Sequence, residues 1–167
     1  MSTPTPLSTL SAADVRLRRA TPADAEELAR LRWADSTEDG MVPQQSCADF
    51  CAHFATFVRA ALAGGQWTIW VAEGAGRIVA HIYVCAVPKA PRPDRAVTTW
   101  GYTTAVYAVP EVRNSGIGSC LLRRVVAWAE AERLECLHLW HSERSVPFYE
   151  RAGFARPLDV LERPLGG

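Results

Sequence analysis

The residues best suited to chemistry lie in one segment, which runs from Val106 to Ser119 and reads VYAVPEVRNSGIGS. The pattern predicts a strand that ends at Pro110, a turn that contains Gly116 and Gly118, and then an amphipathic helix. Glycine permits positive φ and lets a ligand approach the backbone closely. Turn N–H groups and the positive end of a helix together favour an anion, most naturally a phosphate or pyrophosphate.

The spacing of this turn leaves two interpretations open. It lacks the GK[ST] ending of a P-loop and the third glycine of a dinucleotide-binding fingerprint. The pattern Arg113-x-x-Gly116-x-Gly118 is therefore either an anion site or a tight strand-to-helix connection that needs small residues. Ser119 is placed to cap the helix or to contact a ligand oxygen.

The elements around the turn predict a mixed α/β domain with the order β-α-α-β-β-β-α-β-α-β. The predicted strands cover residues 15–19, 67–73, 77–87, 98–109 and 136–140, with a last strand from Phe154 onward. The predicted helices cover residues 22–34, 46–63, 117–133 and 145–151, and residues 35–45 are expected to form a polar loop. The short link Gly74-Ala75-Gly76 predicts a hairpin between the second and third strands.

Composition bounds the class of protein. The 167 residues predict a disordered leader over 1–14 and one domain over 15–167. Basic and acidic residues both number 18, so nucleic acid is not an expected partner. No apolar run approaches the ~20 residues that span a bilayer, and no secretory signal is expected. Five cysteines without a CxxC pair predict free thiols in a reducing, cytoplasmic location.

A metal site is not predicted. Cys47 and Cys51 lie four residues apart with His53 nearby, but two small residues on one helix face explain this spacing better. Tetrahedral metal sites need more ligands at tighter spacing.

Two separated motifs carry a resemblance to a known family. Residues 102–154 resemble the core of the GNAT superfamily of N-acetyltransferases, whose Arg/Gln-x-x-Gly-x-Gly/Ala signature matches Arg113, Gly116 and Gly118. A second signature, Phe-Tyr-Glu-x-x-Gly-Phe, is matched by Phe148, Tyr149, Glu150, Gly153 and Phe154. The opening VRLRRATPADAEELARLR also resembles the family's first strand and helix, so the resemblance covers residues 15–160.

The resemblance implies a mostly antiparallel sheet with a splayed strand pair that forms a cleft for acetyl-CoA, used as a cosubstrate. The cofactor-binding residues that it implies are Val106, Tyr107, Ala108, Arg113, Asn114, Ser115, Gly116, Ile117, Gly118 and Ser119. The backbone of 113–119 would hold the pyrophosphate, and 106–108 would pair with the pantetheine arm. The Ala108 N–H would polarise the thioester carbonyl. Ser142 stands where the family often has Asn, so its contact with the cofactor is weaker, water-mediated or absent.

Tyr149 is the implied catalytic residue, because the family places a tyrosine beside the cofactor sulfur. A phenol pKa of ~10 against ~8.5 for a thiol favours hydrogen bonding over full proton donation. Four residues are candidates for the general base by location only, and none is selected: Glu38, Asp39, His81 and His141. A packed core imidazole is the favoured interpretation of His81, and solvated loop charges are favoured for Glu38 and Asp39.

The expected function is transfer of an acetyl group from acetyl-CoA to a primary amine of a small molecule or peptide by direct attack. The alternatives are a non-catalytic acyl-CoA-binding regulatory module and a transferase that uses a longer acyl-CoA. Family members are commonly homodimers. The acceptor pocket is expected between the first helix, the 35–45 and 88–97 loops and the end of the chain.

Overall fold

A computed structural model describes residues 5–38, 40–94, 96–97, 99–156 and 163. Its strands are β1 Arg16–Arg19, β2 Trp67–Gly74, β3 Arg77–Pro88, β4 Thr99–Ala108 and β5 Leu137–His138. Its α-helices are α1 Ala25–Glu38, α2 Cys47–Gly64, α3 Ile117–Ala131 and α4 Val146–Glu150. The predicted last strand from Phe154 falls mostly outside the described residues.

The sheet has the order β1-β2-β3-β4-β5, and only the β4–β5 pair is parallel. That pair is short, because it joins only Gly101 to Leu137 and Tyr102 to His138. A Cβ atom on Gly101 would lie 2.6 Å from a Leu137 methyl group, so any larger residue here would displace the Leu137 side chain. Beyond it β4 continues to Ala108, and the two strands part as the resemblance implies.

Consecutive strand residues point to opposite sides of the sheet, and helices pack against both faces. Trp70 of β2 contacts Trp128 of α3, with ring centroids 6.4 Å apart. Tyr83 of β3 faces the other way and contacts Phe54 of α2. The apolar stripe of α3 is buried through Ile117, Leu121, Leu122 and Val125. Such burial stabilises by roughly 1.5–3 kcal/mol per large aliphatic side chain and fixes the start of α3 beside β4.

Helix α1 is longer than predicted. The sequence places its end near Ala34, but the helix continues to Glu38. Two local interactions support the extra turn: Arg32 pairs with Asp35 three residues on, and the Thr37 hydroxyl donates to the Trp33 carbonyl at 2.9 Å. The prediction of a polar loop from residue 35 is therefore wrong for 35–38, which lie on a helix beside the cleft.

Part of the predicted disordered leader has structure. Leu7–Thr9 form a short 3-10 turn, and Leu10 is only 6% exposed. The Leu10 side chain lies against Gly74 at the end of β2, where a Cβ atom would come within 2.9 Å of it. Burial of the apolar Leu10 side chain against the end of β2 explains why this segment has a defined structure.

Within the described part of the chain, none of the helices combines the length and the apolar character required to cross a membrane.

Candidate active site

The parting of β4 and β5 opens a cleft of about 750 Å³. Its walls come from α1, β4, the glycine turn, the segment after β5 and α4. Most of the residues singled out from the sequence line it: Val106, Tyr107, Ala108, Arg113, Asn114, Gly116, Gly118, Ser119, Ser142 and Tyr149. Ser115 and Ile117 are not among the lining residues, because the Ser115 hydroxyl donates to the Val112 carbonyl and the Ile117 side chain is buried.

The glycine turn presents backbone N–H groups without a capping side chain. Asn114 and Gly116 have φ of 63° and 83°, so two residues of the turn adopt the left-handed conformation before α3 begins. Gly116 is the N-cap, and no side chain bonds the helix terminus there. The first helical bond runs from the Cys120 N–H to the Gly116 carbonyl. Helix geometry therefore leaves the N–H groups of residues 117–119 for an external acceptor.

The backbone of Ala108 points into the gap beside β4. The Val109 N–H donates to the Val79 carbonyl at 3.0 Å, which makes Ala80 and Ala108 a non-hydrogen-bonded pair. The polar groups of Ala108 consequently point away from β3, and its carbonyl accepts from Arg113 Nε at 3.0 Å. By the same alternation, the backbone N–H and carbonyl of Tyr107 point towards β3. Residues 106–108 therefore do not all offer their backbone groups to a ligand in the gap.

A β-bulge lies just before this edge. Thr104 pairs with Tyr83 and Tyr107 pairs with His81, so Ala105 and Val106 together oppose one residue of β3. Ala105 has φ of 47°, which is uncommon for a residue other than glycine. Nothing in the sequence marks this bulge, because alanine has no preference for a positive φ.

Glu38 ties the end of α1 to the glycine turn. It accepts from both Arg113 Nη atoms, at 2.8 Å for the Nη2–Oε2 contact, and its Oε2 also accepts from the Tyr107 hydroxyl at 3.2 Å. Hydrogen bonding from Arg113 lowers the pKa of Glu38. Burial, followed by the charge of Glu38, raises the pKa of Tyr107 to about 12. Glu38 is thus a helical, ion-paired carboxylate and a poor general base, not the solvated loop charge that the sequence favours.

Tyr149 is held by the turn that ends α4. The Phe154 N–H donates to the Tyr149 carbonyl and the Gly153 N–H donates to the Glu150 carbonyl, which is a Schellman motif. Gly153 has φ of 86°, so the glycine of the second signature is required by the backbone. The Phe154 ring lies 5.6 Å from the Tyr149 ring. Burial, with a smaller contribution from the charge of Asp35, raises the pKa of Tyr149 to about 12.

The remaining candidates differ in their surroundings. His81 lies in the core, as favoured from the sequence, whereas His141 is exposed at the rim of the cleft. Asp39 lies outside the described residues. The Ser142 hydroxyl donates to the Ser145 hydroxyl at 3.2 Å within the cleft wall. Sequence reasoning did not single out three further lining residues, Arg32, Arg144 and Arg151, because no motif marks them.

The two cysteines of α2 do not form part of a larger cluster. Cys47 Sγ lies 3.9 Å from Cys51 Sγ, and burial raises the pKa of Cys51. Over the described ranges, no group of three or more His, Cys, Asp or Glu side chains is arranged to hold a metal ion.

Comparison with known proteins finds a matching family. Residues 65–156, more than half of the chain, match the family model described as an acetyltransferase (GNAT) domain. A glucosamine 6-phosphate N-acetyltransferase from Trypanosoma brucei brucei is 32% identical over 92 residues, which cover 55% of this chain and 60% of that protein. The match therefore spans less than two thirds of the curated relative.

Solved structures extend the likeness over nearly the whole chain. A GCN5-related N-acetyltransferase from Ralstonia eutropha is 27% identical with a TM-score of 0.74, and the match covers 92% of this chain and 99% of that one. A predicted acetyltransferase with acetyl-CoA from Clostridium acetobutylicum has a TM-score of 0.77 at 24% identity, over 90% and 96% of the two chains, and shares the fold. With the glycine turn, the parted strands and the α4 turn in their places, the family match shows that this chain belongs to the GNAT acetyltransferases.

Proposed function

We propose that this chain transfers the acetyl group of acetyl-CoA to a primary amine of a small molecule or peptide by direct attack. The observation that carries the proposal is the meeting of three features in one cleft. These are the uncapped glycine turn, the open edge of β4 at Ala108, and the half-buried hydroxyl of Tyr149.

The cleft fits the two ends of the cofactor. The N–H groups at the start of α3 suit the pyrophosphate, and Arg144 and Arg151 add positive charge to the same walls. The Ala108 edge suits the amide-bearing pantetheine arm, which can pair with it as an added strand. When bound, acetyl-CoA supplies an activated acetyl thioester. Ile117 and Ser115 contribute to this site through backbone geometry.

Two donors act on the thioester in this proposal. The Ala108 N–H bonds the carbonyl oxygen as negative charge develops there, while the amine nitrogen forms the C–N bond and the C–S bond breaks. The Tyr149 hydroxyl donates a hydrogen bond to the departing sulfur. With a pKa of about 12 for Tyr149, full proton transfer to a thiolate near ~8.5 is uphill by roughly 5 kcal/mol. Hydrogen-bond donation is therefore its role, and the amine proton leaves to water.

The acceptor side of the cleft carries carboxylates. Asp35 and Glu38 of α1 line it, and the charge of Asp35 reaches Tyr149 across the gap. A carboxylate near the reacting centre suits an acceptor that arrives as an ammonium ion. Arg32 pairs with Asp35 on the same helix face, so an acceptor with an anionic group next to its amine also fits the charges present. The Trypanosoma relative, named for glucosamine 6-phosphate, makes that amino sugar phosphate a sensible member of any acceptor panel.

A panel of amines tests the proposal. Amino acids, polyamines, aminoglycosides, amino sugars with and without phosphate, and peptides with free N-termini are each incubated with the protein and acetyl-CoA. The release of CoA thiol is measured against hydrolysis without amine. Amine-dependent release with formation of the N-acetyl product supports the proposal. Saturable binding of acetyl-CoA without amine-dependent release from any of them favours the acyl-CoA-binding module, and faster release from longer acyl-CoA favours the other alternative.

A further inference from the structure

We infer that His81 is a positioning residue, whose imidazole holds the bulge of β4 and so directs the Ala108 backbone into the cleft. The inference rests on the proposed function for its kinetic consequence, but the bulge itself can be tested without activity.

The hydrogen bond of His81 is the first observation. Its Nδ1 lies 2.7 Å from the carbonyl oxygen of Ala105, the residue at the centre of the bulge. A carbonyl oxygen only accepts, so Nδ1 carries the proton and Nε2 is the bare nitrogen. The residue is 0% exposed. Its protonation is steady as well, because burial lowers the pKa of His81 to about 4 and keeps the ring neutral.

The surroundings of His81 show that packing alone does not explain it. Within the described part of the chain, its Nε2 is buried without a hydrogen-bond partner. A buried nitrogen without a partner has lost its hydrogen bond to water, and an apolar side chain would avoid that penalty. The rings of Tyr83 and Tyr107 flank the imidazole at 5.1 and 5.7 Å and fix its plane. This ring orientation makes the hydrogen bond between Nδ1 and the Ala105 carbonyl and leaves Nε2 without a hydrogen bond among the described residues.

The register of β4 shows what the bulge does. The positive φ of Ala105 is unfavourable for a residue other than glycine and persists only where the surroundings hold it. Without the extra residue, Tyr107 would take the place of Ala108 opposite Ala80. The N–H of Tyr107 would then face the gap, and that of Ala108 would bond β3. The bond to the Ala105 carbonyl therefore decides which N–H reaches the thioester.

Three variants of His81 separate the two ring nitrogens. His81→Asn places an amide N–H near the position of Nδ1, His81→Gln places one near Nε2, and His81→Phe keeps a ring without either nitrogen. Tyr83→Phe is the matched control, because Tyr83 lies on the same face of β3 and its buried hydroxyl has no hydrogen-bond partner among the described residues. Thermal melting and circular dichroism establish that each variant is folded.

Amide hydrogen exchange of the β4 peptide, followed by mass spectrometry, is the readout that needs no acceptor. We expect exchange of the Tyr107 amide, which the bulge turns towards β3, to rise about tenfold or more in His81→Phe and His81→Gln, and to stay at the wild-type rate in His81→Asn and Tyr83→Phe. Wild-type exchange in His81→Phe would overturn the inference. If His81→Phe does not fold, the difference in exchange between His81→Asn and His81→Gln still decides whether His81 holds the bulge.

Kinetics with an acceptor from the amine panel give the second readout. We expect kcat to fall about tenfold or more in His81→Phe and His81→Gln, with KM for acetyl-CoA changed less than about threefold, and His81→Asn to recover most of kcat. Rescue by Gln instead of Asn would show that Nε2 acts, and would overturn the positioning role. If wild type acetylates no amine, the proposed function fails, whereas the exchange data still decide whether His81 holds the bulge.

Discussion

At the scale of single residues, the proposed chemistry pairs one backbone donor with one side-chain donor. The Ala108 N–H is available because of strand register, and Tyr149 is in place because the turn after α4 packs Phe154 against it. Neither group needs an unusual protonation state. Burial raises the pKa of Tyr149 to about 12, which keeps the phenol protonated at every pH where the protein would work.

Removal of the Tyr149 hydroxyl tests the donor role. In Tyr149→Phe we expect kcat to fall roughly 10- to 100-fold, which corresponds to the loss of one hydrogen bond to a developing charge. The KM for acetyl-CoA should stay close to wild type, because the glycine turn is untouched. Steady-state kinetics on an acceptor from the amine panel provide the measurement, and a wild-type kcat would remove Tyr149 from the chemistry.

A pair of glycines separates backbone strain from cofactor binding. Gly116 and Gly76 have φ of 83° and 77°, and a Cβ atom at either position meets nothing within 4 Å. We expect Gly116→Ala and Gly76→Ala to lower the free energy of unfolding by a similar amount, about 1 kcal/mol. Only Gly116→Ala should weaken binding of acetyl-CoA, since Gly76 lies in the β2–β3 hairpin. Equal affinities in the two variants would contradict the role of the turn.

At the scale of elements, the junction of β1 and α1 supports the acceptor side of the cleft. Arg18 of β1 bonds both carboxylate oxygens of Asp24, at 2.8 and 2.9 Å, and also Glu73 of β2. Asp24 in turn accepts from the Thr21 N–H at 2.7 Å and fixes the start of α1. The guanidinium group of Arg18 thus links β1, β2 and the start of α1.

This junction makes stability sensitive to acid. The hydrogen bonds from Arg18 lower the pKa of Asp24 to about 2, against ~3.9 in an unfolded chain. The stabilisation is present above the unfolded pKa and is lost as pH falls from about 4 to about 2. It amounts to about 2 kcal/mol.

In Asp24→Asn the free energy of unfolding should therefore be lower at pH 7, and it should change less with pH between about 4 and about 2. Urea titrations at several pH values provide the measurement, with the exposed Asp94→Asn as control; an unchanged slope in Asp24→Asn would contradict the account.

The sequence predicts most elements because their signals are local. Helix α2 ends where Gly65 adopts φ of 73°, and α3 begins where the glycine turn ends, both within a residue or two of the prediction. The end of α1 is missed, because residues 35–38 are polar, and the side-chain contacts that support their helical turn run back to Arg32 and Trp33. The pairing of Glu38 with Arg113 spans 75 residues of sequence, and the bulge at Ala105 depends on His81 across the sheet. Such contacts follow from tertiary packing, which local patterns do not record.

At the scale of the whole molecule, the cofactor side and the acceptor side share a wall. The ion pair between Glu38 and Arg113 links the end of α1, which lines the acceptor side, to the turn that would hold the pyrophosphate. Residues of α1, of β4 and of the glycine turn line the same cleft.

Removal of metal tests the chemistry of this cleft as a whole. The walls offer N–H groups and arginines for a pyrophosphate, and no group of three or more ligating side chains occurs among the residues that the structure describes. We expect acetyl-CoA affinity and turnover to be unchanged by an excess of EDTA. A loss of either that added Zn²⁺ or Mg²⁺ restores would contradict this expectation and direct attention back to Cys47, Cys51 and His53.

In the proposed function, the glycine turn and the β4 edge bind acetyl-CoA. Its most direct test is a calorimetric titration of acetyl-CoA into the wild-type protein and into Gly116→Glu, after circular dichroism has shown that both are folded. We expect saturable one-to-one binding to the wild type and loss of binding in Gly116→Glu, because a carboxylate on a residue with a strained φ then occupies the anion site. Equal affinity of the two proteins for acetyl-CoA, or no binding by the wild type, would contradict it.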